Sequence, residues 1–122
     1  MAKRIMVVED EKDLSKVLHV ALAAHGYEVI IANDGKEALV KAVKEKPSLI
    51  LLDVVMPHMD GLEVLHRLKL DPKTKHIPVI MLSGRDDIDS VDEAKEIGAK
   101  DYITKPYNTE MLLDAVKRNL PA

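Results

Sequence analysis

The sequence contains no cysteine, no tryptophan and no phenylalanine, and its longest apolar runs are only about six residues. Without cysteine, disulfide bonds, thiolate metal sites and thiol catalysis are excluded. Runs this short cannot cross a membrane as a helix, which takes about 20 residues, and no signal-peptide pattern precedes the first of them. These absences predict a cytoplasmic protein.

The charge of the chain has no strong bias of either sign. The formal net charge is −3, and charged residues make up 32% of the 122 positions, with Lys and Glu spread along the whole length. A nucleic-acid surface needs a basic patch, which this distribution does not supply. Apolar residues make up 47% of the chain, enough for a core that needs neither a disulfide nor a structural metal. We therefore expect one domain, residues 1–122.

Five short β-rich runs alternate with segments of helical period, which is typical of βαβ units around a parallel sheet. The runs are continuously apolar rather than alternating, as strands covered on both faces are, so we expect interior strands. The five predicted strands are Arg4–Val8, Glu28–Ala32, Leu49–Leu52, Val79–Leu82 and Asp101–Thr104.

Five helices with one apolar face each are predicted between and after these strands. Because crossovers in parallel sheets are right-handed, few arrangements remain, and we expect a doubly wound α/β sheet with strand order 2-1-3-4-5. The predicted sheet-facing residues are Leu14, Val17, Leu18, Ala21 and Leu22; Ala38, Leu39, Ala42 and Val43; Leu62, Leu65 and Leu68; Ile88, Val91, Ala94 and Ile97; and Met111, Leu112, Ala115 and Val116.

The first, third, fourth and fifth predicted strands are neighbours in this order, and polar side chains follow each of them. Glu9 and Asp10 come after the first strand, Asp53 after the third, Ser83 after the fourth and Lys105 after the fifth. In this topology ligands bind at the carboxyl ends of the strands, near the point where the strand order reverses. We therefore expect the five side chains to converge on one edge of the sheet.

Three carboxylates that share a pocket repel one another unless a cation lies among them. Mg²⁺ suits such a site, because it prefers carboxylate, water and phosphate oxygens. Asp10 and Asp53 would be direct ligands and Glu9 would hold a coordinated water. A carboxylate beside Mg²⁺ can attack phosphorus and form an acyl phosphate, whose oxygens Ser83 and Lys105 would contact. The pattern indicates a phosphoryl-acceptor site.

The chain resembles the receiver domains of two-component response regulators, the CheY-like superfamily, along its whole length. The ordered set of motifs carries this resemblance, and it implies a flavodoxin-like fold and a role in a phosphorelay. The matching segments are Ile5–Asp10, Leu51–Pro57, Asp60–Gly61, Pro78–Ser83 and Gly98–Pro106.

The resemblance also implies a role for each site residue. Asp53 would accept a phosphoryl group from a phosphohistidine of a sensor kinase or a histidine phosphotransfer protein. The main-chain carbonyl of Val55 would complete the Mg²⁺ site, Lys105 would pair with phosphorylated Asp53, and Ser83 with Tyr102 would form the switch pair. Such a protein catalyses its own phosphorylation and dephosphorylation and is not an enzyme that turns over a metabolite.

By the same resemblance, helix 4, strand 5 and helix 5 would form the surface that contacts a downstream protein, with no direct binding of nucleic acid or membrane. By this resemblance, Val55 and Arg85 would lie at the positions that tune the lifetime of the phosphoryl group. An apolar Val55 offers no group to orient an attacking water, so we expect slow dephosphorylation.

Several alternatives stay open at the level of sequence. Asp10, Glu11 and Asp13 could simply cap the first helix. The chain could be a degenerate receiver that acts as a protein-interaction scaffold, or a Mg²⁺-dependent phosphatase of haloacid-dehalogenase type, although Val55 stands where that group has a second acid. A flavin-binding redox carrier would share the sheet order but needs a different first loop. The loop between Asp71 and Pro78 favours a single-domain regulator over a fragment of a longer one.

Overall fold

Five parallel strands form the centre of the molecule. The computed structural model describes residues 3–54, 56, 59–84, 88–105 and 108–121, with no side chains described at 88–90. Within these residues the strands pair in the order β2-β1-β3-β4-β5, as predicted. Their bounds are β1 (Arg4–Val8), β2 (Glu28–Ala32), β3 (Leu49–Asp53), β4 (Val79–Ser83) and β5 (Asp101–Thr104).

A helix follows each strand, and the helices cover both faces of the sheet. Their bounds are α1 (Lys12–Ala24), α2 (Gly35–Glu45), α3 (Gly61–Leu70), α4 (Ile88–Ile97) and α5 (Thr109–Asn119). No helix in the described ranges combines the length and the apolar character that crossing a membrane requires.

The core has two layers, because successive side chains of a strand point to opposite faces. In β1, Ile5 and Val7 pack with α1 and α5. Met6 and Val8 pack with α2, α3 and α4 on the other face. All four side chains are fully buried, which explains why the run is continuously apolar.

Side chains and one glycine define several helix ends. The N-cap residues Asp34, Asp60 and Asn108 each accept a hydrogen bond from the backbone N–H three residues later, at 2.8, 2.9 and 2.7 Å, which satisfies a donor that the helix leaves free. After α1, Gly26 has a φ of +87°, and the N–H of Tyr27 reaches back to the carbonyl of Leu22 at 3.2 Å. This is a Schellman motif, which needs a left-handed residue at that position.

Three expectations differ from the structure in detail. Strands β2 and β5 lie at the edges of the sheet, as the predicted order requires, and β2 is not buried like an interior strand, since only its Ala32 is fully buried. Val17 and Met111, predicted to face the sheet, are 60% and 53% exposed, because each stripe is wider than the surface that the sheet offers. Strands β3 and β4 each continue one residue further than predicted, to Asp53 and Ser83.

Candidate functional site

The polar residues predicted at the strand ends lie along one edge of the sheet. Asp53 and Ser83 are the last residues of β3 and β4, Glu9 directly follows β1, and Lys105 directly follows β5. Asp10 comes next along the chain from Glu9, before α1 begins. Since all the strand pairs are parallel, these positions share the carboxyl end of the sheet, which is where ligands bind in this architecture.

Backbone hydrogen bonds extend the sheet into the site and fix the residues there. The N–H of Glu9 donates to the carbonyl of Ala32 at 3.1 Å. The N–H of Lys105 donates to the carbonyl of Ser83 at 2.6 Å. Each side chain therefore starts from a backbone position that the sheet itself determines.

Three carboxylates form a cluster that could hold a metal ion. Glu9, Asp10 and Asp53 each offer an oxygen, and these oxygens lie within 4.8 Å of one another. Glu9 and Asp53 are 1% and 4% exposed, whereas Asp10 is exposed. The cluster therefore has two buried members and one that opens to solvent, and its all-oxygen donor set matches a hard divalent cation.

Lys105 supplies the positive charge that the structure places against these acids. Its ammonium donates a hydrogen bond to Asp53 Oδ2 at 3.0 Å and lies 3.8 Å from Glu9 Oε2. Burial alone would lower the pKa of the Lys105 ammonium, but the hydrogen bond to Asp53 and the charges of the nearby acids outweigh burial and raise it. Lys105 therefore stays charged and neutralises part of the cluster.

The pKa of Glu9 is raised even though the Lys105 ammonium lies nearby. Burial of the Glu9 carboxyl, together with its hydrogen bond to Asp53 and the charge of Asp53, raises its pKa to about 8. Lys105 and the N–H of Glu11, 3.3 Å from Glu9 Oε1, act in the opposite direction and are weaker. Buried Glu9 Oε2 accepts no hydrogen bond from any residue that the structure describes. An oxygen in this state fits a role beside a cation or a cation-bound water.

Ser83 and Tyr102, the predicted switch pair, have opposite exposure. The Ser83 side chain is 1% exposed, and its Oγ has no hydrogen-bond partner among the described residues. Tyr102, on β5, is 39% exposed, and the Lys95 ammonium of α4 lies 4.6 Å from the centre of its ring. A buried hydroxyl without a partner is costly, and it is available to a ligand oxygen that enters the site.

Two predicted site residues, Val55 and Arg85, lie outside the described residues.

The capping alternative for Asp10 finds no support, because Glu11 is the N-cap of α1 and its side chain makes no capping hydrogen bond. Asp10 lies before that cap and belongs to the carboxylate cluster.

Sequence reasoning missed the role of Gly61. A Cβ atom at this position would lie 2.1 Å from the backbone oxygen of Asp53, and the Gly61 N–H donates to the carbonyl of Val54 at 2.8 Å. The start of α3 therefore rests directly on the end of β3. The pair Asp60–Gly61 was the available signal, since it combines an N-cap residue with the residue that allows the closest backbone approach.

Comparison with known proteins agrees with this geometry. The sequence profile of the response regulator receiver domain matches residues 5–117. The chain is 33% identical to the chemotaxis protein CheY4 of Vibrio cholerae, with a TM-score of 0.92 over 98% of this chain and 100% of that one. It is 38% identical to the signal receiver domain of a histidine kinase from Syntrophus aciditrophicus, with a TM-score of 0.88 over 96% and 89% of the two chains.

A third similar structure is NtrX from Brucella abortus, at 32% identity and a TM-score of 0.89 over 97% of this chain and 26% of that one. The relatives thus include chains of this length and longer proteins. The chain belongs to the response regulator receiver domain family of two-component systems.

Proposed function

We propose that Asp53 is the phosphoacceptor of a phosphorelay. A carboxylate oxygen of Asp53 attacks the phosphorus of a phosphohistidine on a sensor kinase or a phosphotransfer protein. The new O–P bond forms as the N–P bond breaks, and the imidazole nitrogen leaves with the electron pair. The observation that carries this proposal is the hydrogen bond of 3.0 Å between Lys105 and Asp53 at the carboxyl end of β3, in a member of the receiver family.

A Mg²⁺ ion is the proposed cofactor. Asp10 and Asp53 would bind it directly, Glu9 would hold a coordinated water, and the main-chain carbonyl of Val55 would complete the set. The three clustered carboxylates, and the buried Glu9 Oε2 that accepts no hydrogen bond from the described residues, support this assignment. When bound, the ion neutralises the acids and the charge of the transferred group.

Lys105 and Ser83 would then contact the phosphoryl oxygens. The Lys105 ammonium already forms an ion pair with Asp53. It is therefore close enough to bind an oxygen of a phosphoryl group attached to that carboxylate. The Ser83 hydroxyl is buried beside this site without a partner among the described residues, so a phosphoryl oxygen would give it one. Both contacts form or strengthen only when Asp53 is modified, which favours the phosphorylated state.

The output of the domain is proposed to depend on Tyr102. When Ser83 moves toward the phosphoryl group, space opens for the exposed ring of Tyr102 to rotate inward. The surface of α4, β5 and α5 would change with it and control a downstream protein partner, with no direct contact to nucleic acid or membrane. Val55 and Arg85 would set the lifetime of the phosphoryl group.

The proposed activity is limited to self-phosphorylation from a donor and self-dephosphorylation, without turnover of a metabolite, in a cytoplasmic protein with one receiver domain over residues 1–122. The complete set of acids, lysine and serine favours a phosphoacceptor over a scaffold that works only by protein contacts.

The test is the intact mass of the purified protein after incubation with Mg²⁺ and a small acyl phosphate. We expect a gain of one phosphoryl group that excess EDTA prevents. Asp53→Asn should show no gain, whereas Asp13→Asn, an exposed acid outside the cluster, should behave as the parent does. An equal gain in Asp53→Asn would overturn the proposal.

A further inference from the structure

The ring of Tyr102 has a charged neighbour on α4. The Lys95 ammonium lies 4.6 Å from the centre of the Tyr102 ring, within the range of a cation–π contact. Lys95 belongs to the last turn of α4 and is exposed, and its ammonium makes no hydrogen bond or ion pair with the described residues. The cation–π contact with Tyr102 is therefore the polar interaction that the Lys95 ammonium makes among the described residues.

The backbone that carries Lys95 is firmly placed. Ala94, next to it in sequence, is 1% exposed, and Val91, one turn earlier, is 6% exposed. These two side chains fix α4 against the sheet. Because α4 is held in place and Lys95 is exposed, inward rotation of the ring would break its contact with the ammonium.

We propose that Lys95 is a positioning residue that holds the Tyr102 ring in its outward position. The inference rests on the proposed function, because it concerns the ring that reports phosphorylation of Asp53. A cation over an exposed ring changes the ratio of two positions by about two- to fivefold. Lys95 thereby lowers the fraction of unphosphorylated molecules in which the ring lies inward.

This bias sets a threshold for the switch. A group that favours the inward ring must outweigh the contact that favours the outward one. Phosphorylation of Asp53 and inward rotation of Tyr102 stabilise each other in the proposed function, and such coupling is reciprocal. Loss of the Lys95 charge therefore makes the phosphorylated arrangement easier to reach.

The experiment uses the full chain labelled with 3-fluorotyrosine and observed by ¹⁹F relaxation dispersion. The Tyr102 resonance is assigned with Tyr102→Phe, and the population of its minor position is measured without any phosphodonor. Lys95→Met keeps the apolar stem and removes the charge. Lys95→Arg keeps a cation that binds aromatic faces, and Lys44→Met removes a lysine from α2, far from β5 in the sheet order.

We expect a minor population about two- to fivefold larger in Lys95→Met, and the parent value in Lys95→Arg and Lys44→Met. A lysine that merely covers the ring would leave the population unchanged on replacement. If Lys95→Met shows no larger minor population than Lys44→Met, or no second position at all, the inference is overturned.

The same samples also separate this inference from the proposed function. Their intact mass is measured after incubation with Mg²⁺ and a small acyl phosphate. If no sample gains a phosphoryl group, the proposed function fails, whereas the dispersion result still decides the role of Lys95. If the parent is phosphorylated and the ring populations are equal, the inference alone fails.

Discussion

Lys105 and Asp53 form an ion pair across a strand that lies between them in the sheet. Asp53 ends β3 and Lys105 follows β5, with β4 between the two in the sheet, yet the ammonium lies 3.0 Å from Asp53 Oδ2. Two strand spacings are about 10 Å, so only a long side chain directed along the sheet edge makes this contact. The ion pair therefore depends on the strand order as much as on the two residues.

Replacement of Lys105 by methionine should slow phosphorylation of Asp53 by roughly tenfold or more, because a hydrogen bond to a charged group is lost. The rate of mass gain with a small acyl phosphate measures this. Lys44→Met should react at the parent rate. Equal rates in the parent and Lys105→Met would contradict the role given to Lys105.

The raised pKa of Glu9 predicts how the stability of the metal-free protein depends on pH. The folded state holds a proton on Glu9 up to about pH 8, whereas the ordinary value is 4.5. Between these values the folded state binds more protons than the unfolded chain, so the free energy of unfolding falls as pH rises. Denaturant unfolding in EDTA from pH 5 to pH 8 should show this decline.

Glu9→Gln provides the matched variant for the pH profile, since an amide imitates the protonated acid. Its profile should be flatter than that of the parent, and Glu63→Gln, an exposed acid of α3, should keep the parent slope. A Glu9→Gln profile as steep as the parent profile would show that another group causes the decline.

Mg²⁺ should stabilise the protein by mass action. A concentration ten times the dissociation constant adds about 1.4 kcal/mol to the free energy of unfolding, which corresponds to a rise of several degrees in Tm. Thermal unfolding at pH 7.5 with and without Mg²⁺ measures it. Asp10→Ala should lose most of the rise and Asp13→Ala should keep it; equal rises in all three proteins would argue against the carboxylate cluster as the metal site.

Gly61→Ala should destabilise the fold by an amount at the upper end of the 1–3 kcal/mol that overpacking costs, because its Cβ meets the Asp53 backbone oxygen at 2.1 Å. Gly26→Ala meets no atom within 4 Å and suffers only from its positive φ, which costs about 1 kcal/mol. Urea unfolding measures the loss of stability in each variant, which comes from a steric clash in Gly61→Ala and from an unfavourable backbone conformation in Gly26→Ala. A larger loss in Gly26→Ala would contradict the close approach.

Much of this architecture was predictable because local patterns and topology agree. The apolar run of β1 is buried on both faces, as Ile5 and Met6 illustrate. Right-handed crossovers then leave few strand orders. The position of a residue after a predicted strand was enough to bring Glu9 and Lys105 to one sheet edge.

Other features depend on distances between elements of the folded chain, and the apolar periodicity of the sequence does not specify those distances. Val17 fits the apolar stripe of α1, yet it is 60% exposed, because periodicity gives the direction of a side chain but not the width of the surface opposite. The contact of Lys95 with Tyr102 joins two elements whose separation only the folded chain defines. The raised pKa of Glu9 likewise depends on its burial beside Asp53.

The central claim is that Asp53 itself carries the phosphoryl group, and its location on the chain tests this most directly. After reaction with a small acyl phosphate in Mg²⁺, borohydride reduces an acyl phosphate to an alcohol, so peptide mass spectrometry identifies the modified acid as homoserine. We predict homoserine at position 53 alone, and none in samples treated with EDTA. Homoserine at another acid, with residue 53 unchanged, would contradict the account.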